Sequence, residues 1–316
     1  MIRFVARRCL QAFPLLVIVS ALVFALIHAA PGGPLAIYLG NPNVRPQDLE
    51  RLRRALGLDR PLWQQYWSWL WAFARGDWGY SFSDGRPVVA RILERIPATL
   101  ELVGASLACA TALTMPAGIL AAIRRSRWFD RLTTTASMAG ISLPGFWFGL
   151  LLQMIFAVGL GWLPSSGRAA PGGGDFIDHL QHLVLPTGVL AFVLASGWSR
   201  YRRGSMIETL SLPFIVSARA RGLPAARVVL RHALRNALGP LIAIVTVDAG
   251  LLVSGAVVTE SVFAWPGLGS LFTEALARRD YTVLMALLML SSAAVVAFNV
   301  VADLAHAVVD PRVAAS

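Results

Sequence analysis

The chain has 316 residues, of which 56% are hydrophobic and 14% charged, with a formal net charge of +11. Soluble domains carry about 25% charged residues, so so low a charge content over this length excludes an ordinary soluble domain and points to a membrane protein. There is no lysine, and arginine supplies the whole positive excess. In a soluble protein that excess would suggest nucleic acid. Against this apolar background membrane topology accounts for it, and no nucleic-acid partner is expected.

Six segments are long and apolar enough to cross a bilayer, which takes about 20 helical residues: 9–30, 100–123, 134–161, 183–199, 238–260 and 283–305. The fourth is the shortest. The first follows Arg3, Arg7 and Arg8 but is longer than the roughly 7–15 residues of a signal core, so it reads as a retained helix. Cys9 and Cys109 lie in or beside apolar segments, too isolated for a disulfide framework or a metal spacing. They read as small core residues.

Cytoplasmic flanks attract arginine, and short loops carry that signal. With the N-terminus inside, the 123–133 loop is inside with Arg124, Arg125, Arg127 and Arg131. The 200–237 loop is also inside, with eight arginines against Glu208 alone. Outside fall 161–182, with Arg168, and 261–282, with Arg278 and Arg279. The long 31–97 segment is expected outside, since long loops cross largely regardless of charge. Both termini are then cytoplasmic.

Within the 31–97 segment, WQQYWSWLWAFARGDW, residues 63–78, packs five tryptophans and a tyrosine. Trp and Tyr favour the membrane–water boundary. A helix on the outer membrane surface, packing under an external docking domain, and substrate stacking all fit. Further along, DFIDHLQHL offers His179 and His182 beside Asp175 and Asp178. They are weak candidates for a divalent metal, set against a solvated external loop entering the fourth span.

The segment SARARGLPAARVVLRHALRNALGP, residues 217–240, has five arginines and no acid. Topology needs the charge but not the pattern of helix formers, Gly222, Pro224, and helix formers again. Gly ends helices and Pro suits a first turn, so two short helices joined at Gly222 are expected. A helical elbow in a cytoplasmic loop is built to touch something.

Asp248 lies about ten residues into the fifth span. A charge there costs about 2.5–3.5 kcal/mol on insertion scales, which makes it a candidate for the translocation pathway. The alternative is packing near Thr246 or Ser254. Glu101, Glu260 and Asp303 are expected near span ends, reaching water. PGLGS, residues 266–270, reads as a tight turn with a short re-entrant or interfacial helix rather than a nucleotide loop. Pro116, Pro144 and Pro186 fall in or near spans, where proline loosens the ladder. A phosphate loop needs GxxxxGK[ST], which a chain without lysine cannot contain.

SARARGL followed by RVVLRHALRNALGPLI resembles the cytoplasmic loop of permeases of bacterial ABC importers in the dipeptide/oligopeptide/nickel branch. RFVARRCLQAFPLLVIVSALVFALIHAAPGGP, LGLDRPLWQQYWSWLWAFARGDWGYSF, ISLPGFWFGLLLQMIFAVGLGWLPSSG, HLVLPTGVLAFV, TESVFAWPGLGSLFTEALARRDYTVL and VVDPRV are similar to its other segments, in order. Two departures stand out. The general motif has Glu-Ala-Ala six residues before its glycine, where Val216, Ser217 and Ala218 stand here. The opening usually reads Pro-Gly-Asp-Pro, and Gly33 replaces the acid.

The resemblance implies an all-α membrane protein of type I ABC-importer permease architecture. Its parts would be residues 1–30 (N-terminus and first helix), a larger extracytoplasmic segment 31–97, and a five-helix core 98–316 with docking loop 200–237. Ala218, Arg219, Ala220, Arg221, Gly222 and Leu223 would dock an ATPase. The implied partners are a second related permease, two ATPases and an extracytoplasmic solute-binding protein, in the bacterial inner membrane. The chain itself would hold no cofactor, with ATP and magnesium on the ATPases. The function implied is import of peptides or related small solutes by alternating access, with no enzymatic step here. The alternatives are a proton-coupled secondary transporter using Asp248 and a non-transporting receptor or scaffold.

Overall fold

The computed structural model describes residues 2–30, 33–35, 45–55 and 57–309. The Pro31–Gly32 pair and the terminal Asp310–Pro311–Arg312 of the resemblance lie outside the described residues. Among those described, every named element is helical. Four unbroken helices and two bent pairs are long and apolar enough to span a membrane, up to six spans if each pair counts as one.

Helix α1, Ile2–Ala29, carries the first span. Among the described residues after it are a single 3-10 turn, Gly33–Leu35, and two short helices, α2, Pro46–Ala55, and α3, Leu62–Ala74. Helix α4, Val88–Ile123, holds the second span and extends N-terminally past Pro97. Val23, Phe24 and Ile27 of α1 bury against Met285 of the last helix, with Tyr66 and Trp69 of α3 packed beside them.

The expected third span, 134–161, is two helices. Helix α5, Trp128–Ser142, stops at Leu143, and α6, Gly145–Leu152, leaves at 102° before widening into a π-type turn through Gly159. Proline disfavours helical backbone in the residue before it, and Leu143 is extended at φ −84°, ψ 125°. Pro144 therefore breaks this segment instead of merely loosening it.

The fourth segment, shortest as an apolar run, is the core of a 35-residue helix, α7, Phe176–Leu210. Its polar ends, DHLQH and RYRRGSMIE, carry the helix past the greasy stretch at both sides. Asp175 caps its N-terminus by accepting from the Asp178 amide at 2.8 Å. The loop expected from residue 200 thus begins ten residues inside a helix. Helices α4 and α7 pack along most of their length, burying Ala110, Ala191 and Trp198.

Beyond α7 come α8, Pro213–Ala220, and a helix of Ala225–Ala237, α9, whose middle is π-wound. Helix α10, Gly239–Val253, follows at a 49° bend. The expected fifth span, 238–260, therefore ends early, at Ser254 and Gly255, where φ is +121°. A separate short helix, α11, Val257–Val262, follows, then α12, Leu268–Ala277, and the final span α13, Tyr281–Val309.

Candidate functional site

The elbow is built as two helices meeting at Gly222. Helix α8 closes with the Gly222 amide donating to Arg219 O at 2.9 Å and the Leu223 amide to Ala218 O at 3.4 Å. Gly222 sits at φ +75° with no atom near enough to meet a side chain there. Only glycine holds that backbone cheaply, so the requirement is conformational and not steric. Pro224, extended at ψ 139°, then starts α9.

The inner seam of the elbow is apolar. Ile215 and Ala218 of α8 bury with Val228, Ala233 and Ala237 of α9, over Met206 of α7 and Ala122 of α4. Of the six residues singled out for docking, Ala218 is 2% exposed and faces this seam. Leu223 is half-buried, and Arg219, Ala220, Arg221 and Gly222 are exposed. The outer face adds Phe214, Val216 and Leu230, each exposed. The surface offered is thus mixed apolar and basic.

Two neighbouring arginines of α7 tie it to other helices here, one to α5 and one to the elbow. Arg203 of α7 forms a two-pronged ion pair with Asp130 at the start of α5, with Nη2 to Oδ2 at 2.8 Å. Asp130 also accepts from the Ser126 amide at 2.8 Å, which fixes the α4–α5 turn. Arg202 is buried. Its Nη1 and the Ser205 hydroxyl both donate to Ala237 O, at 3.3 and 3.1 Å, at the bend between α9 and α10. The end of the elbow is therefore bonded directly to α7, just before the bend into α10.

Asp248 lies on α10 facing α7, half-buried. Its Oδ2 accepts from the indole nitrogen of Trp198, itself 1% exposed, at 2.6 Å. The expected packing partners are otherwise engaged, since Thr246 donates to Ile242 O and Ser254 to Leu251 O. Trp198 stands 50 residues away in sequence, and nothing in the local pattern around Asp248 pointed to it.

At the opposite end of the molecule the acids tie segments together. Glu101, expected near a span end and reaching water, stays partly exposed and pairs with Arg168 at 2.7 Å and with the Nε2 of His179. His182 turns to Asp178, its Nδ1 2.8 Å from the Asp178 carbonyl. The two histidines thus serve different partners, and the described residues contain no group of three potential metal ligands.

Glu260, also expected in water, is 0% exposed. It accepts from the Thr99 hydroxyl at 2.9 Å and the Ser270 amide at 3.0 Å. The PGLGS turn wraps this carboxylate, and Trp265 donates to Ala98 O at 2.8 Å beside it. The reading of that stretch as a tight turn leading into a short helix, α12, matches the structure. Arg91 is a hub that the sequence did not signal. It pairs with Asp84, Glu274 and Asp280 at 3.5, 3.3 and 3.6 Å. Burial works against ionisation of Asp84, but the Arg86 amide, the Ser81 hydroxyl and Arg91 together hold its carboxyl below the usual range.

Comparison with known proteins places this architecture. Residues 114–315 match the family described as binding-protein-dependent transport system inner membrane component, and residues 1–103 match the corresponding N-terminal family. The chain is 39% identical over 313 residues to the glutathione transport system permease protein GsiC of Escherichia coli K12, covering 99% of each. It is 36% identical over 335 residues to the dipeptide transport system permease protein DppB of the same strain, again covering 99% of each. A chain of the inward-facing MetNI methionine ABC transporter superposes with a TM-score of 0.57 at 19% identity, covering 71% of this chain and 98% of that one. The likeness to MetNI supports the fold alone. The proton-coupled carrier and the receptor readings are not favoured. The chain is a transport permease without an ATPase site of its own, and it belongs to the family of binding-protein-dependent transport system inner-membrane components.

Proposed function

We propose that this chain forms one half of the translocation pathway of an ATP-driven importer for short peptides or peptide-like solutes. A second, related permease supplies the other half, two separate ATPases bind ATP and magnesium, and a binding protein delivers substrate from outside. Both termini and the elbow face the cytoplasm, and the 31–97 segment faces out. The names of the relatives, a glutathione and a dipeptide permease, support the substrate class. The arginine asymmetry between short loops supports the orientation.

The observation that carries the reading is the elbow. It presents an exposed basic and apolar face, is jointed at a positive-φ glycine, and is held at Ala237 O, just before α10 begins, by Arg202 and Ser205 of α7. An ATPase seated on Arg219, Ala220, Arg221 and Gly222 moves α10 through that joint, and Ala218 keeps the elbow stiff from within. Asp248, two to three turns further along α10, then lines the pathway and favours solutes with a positive amino terminus.

Gly222→Val tests this. A β-branched residue at φ +75° is strained, yet its Cβ meets no atom within 4 Å. The complex should insert and its ATPases should bind nucleotide, while substrate-stimulated hydrolysis and uptake in proteoliposomes both fall. Wild-type values of both would refute the docking assignment.

A further inference from the structure

The tryptophan-rich stretch is helix α3, and it has two apolar faces. Tyr66, Trp69 and Phe73 turn toward the core. The Tyr66 hydroxyl lies 2.8 Å from the Ser20 hydroxyl, Gln65 lies 3.1 Å from His28, and Trp69 packs on Phe24. These contacts fix the roll of the helix against the outer end of α1. The opposite face, one residue per turn, carries Trp63, Trp67 and Trp71, which are 63%, 58% and 62% exposed. Each Trp offers about 150–250 Å², so the stripe amounts to several hundred Å², the size that marks an interaction surface.

We propose that α3 is seated in the headgroup layer of the outer leaflet, its three exposed indoles at the acyl boundary and Arg60 and Arg75 on lipid phosphates. The inference rests on the outward placement of 31–97. Four observations select lipid over a folded partner. The stripe is made of tryptophan, the side chain suited to the boundary between hydrocarbon and water. The helix itself, LWQQYWSWLWAFA, has no charge, while an arginine flanks each end and no acid lies between them. The Arg75 guanidinium sits 4.6 Å over the Trp71 ring, which places a cation beside the last indole of the stripe. Finally, α1 keeps Leu22 and Leu26 exposed at the same level, 58% and 69%, so the lipid-facing strip of the span runs up to α3.

The full complex, with Cys9 and Cys109 replaced, is reconstituted into vesicles of phosphatidylethanolamine and phosphatidylglycerol. Spin labels are placed singly at Trp63→Cys, Trp67→Cys, Trp71→Cys and Asp77→Cys, so that failure of one variant to assemble leaves the others. Collisions with oxygen, which partitions into lipid, are compared with those of a water-soluble nickel chelate. Oxygen should dominate at the three Trp positions and nickel at Asp77. The Arg60→Gln/Arg75→Gln pair should lower the oxygen-to-nickel ratio at position 67. Nickel dominance at 63, 67 and 71 overturns the proposal. So does loss of both collisions there, whether at once or on adding the binding protein, since a protein then covers the stripe. An unchanged ratio in the arginine pair overturns the phosphate contacts. Depth is read without regard to side, so an error in topology is detected separately, by sided thiol labelling.

Discussion

Replacing Gly267 with alanine is expected to loosen the corner formed by α4, α11 and α12. Gly267 has φ −104°, which alanine adopts freely, so the backbone is not at issue. An added Cβ would lie 2.4 Å from the carboxyl carbon and from both oxygens of Glu260. That is about 1 Å inside ordinary contact, and overpacking of this kind costs about 1–3 kcal/mol. Glu260 has no room to retreat, being 0% exposed and held by Thr99 and Ser270. Glu260→Ala alone is also costly, because it strands the Ser270 amide at about 1–3 kcal/mol. The decisive variant combines the two. The three atoms nearest an added Cβ all belong to the Glu260 carboxylate, so with that group gone the double variant should unfold at about the temperature of Glu260→Ala alone. The assay is the thermal midpoint of the purified permease complex in one detergent, followed by size-exclusion recovery. Strict additivity of the two losses would show that Gly267 is not there to admit the carboxylate.

Asp248→Asn keeps an oxygen for the Trp198 indole and removes only the charge. Uptake of peptides with a free amino terminus should slow more than uptake of N-acetylated ones, and equal slowing would reduce Asp248 to a packing residue. Single cysteines at Asp77 and Arg125, both exposed, should react with an impermeant thiol reagent on intact cells at the first position only. The reverse pattern would invert the topology. Asp84 has a carboxyl pKa lowered in the folded protein, so its contribution is full above about pH 4, the ordinary carboxylate value, and is lost as pH falls through its folded value. Acidification should therefore raise protease cleavage in the 81–87 loop, and Asp84→Asn should abolish that pH step while raising cleavage at neutral pH. A step that persists in Asp84→Asn would assign it to another group.

Apolar length and arginine placement made the spans and the elbow readable, because both signals are local. The joint at Gly222 was legible for the same reason: Gly and Pro act on the backbone within two or three residues. Breaks inside apolar runs were harder. Hydropathy does not distinguish a straight 28-residue segment from one folded at Leu143–Pro144 by 102°. Length was misjudged at α7 in the other direction, since a helix continues as long as its backbone bonds are satisfied, whatever the polarity of its ends. The acids were the least legible part. Glu101, Asp248, Glu260 and Asp280 all find partners 50 or more residues away. No pattern in one sequence pairs Asp280 with Ser81 and Arg91 or wraps a glycine turn around a carboxylate.

Helix α7 spans 35 residues, about 52 Å at 1.5 Å per residue. Near its N-terminal end His179 engages Glu101, toward its middle Trp198 engages Asp248, and toward its C-terminal end Arg202 and Ser205 grip the bend before α10. A rod attached at three heights behaves as a beam on a fulcrum. A tilt of about 5° about its centre moves each end by roughly 2 Å in opposite directions. The corner at Glu101 and the elbow are thus joined by one continuous helix, and Pro186, between its first and second attachments, is the point where that rod is weakest.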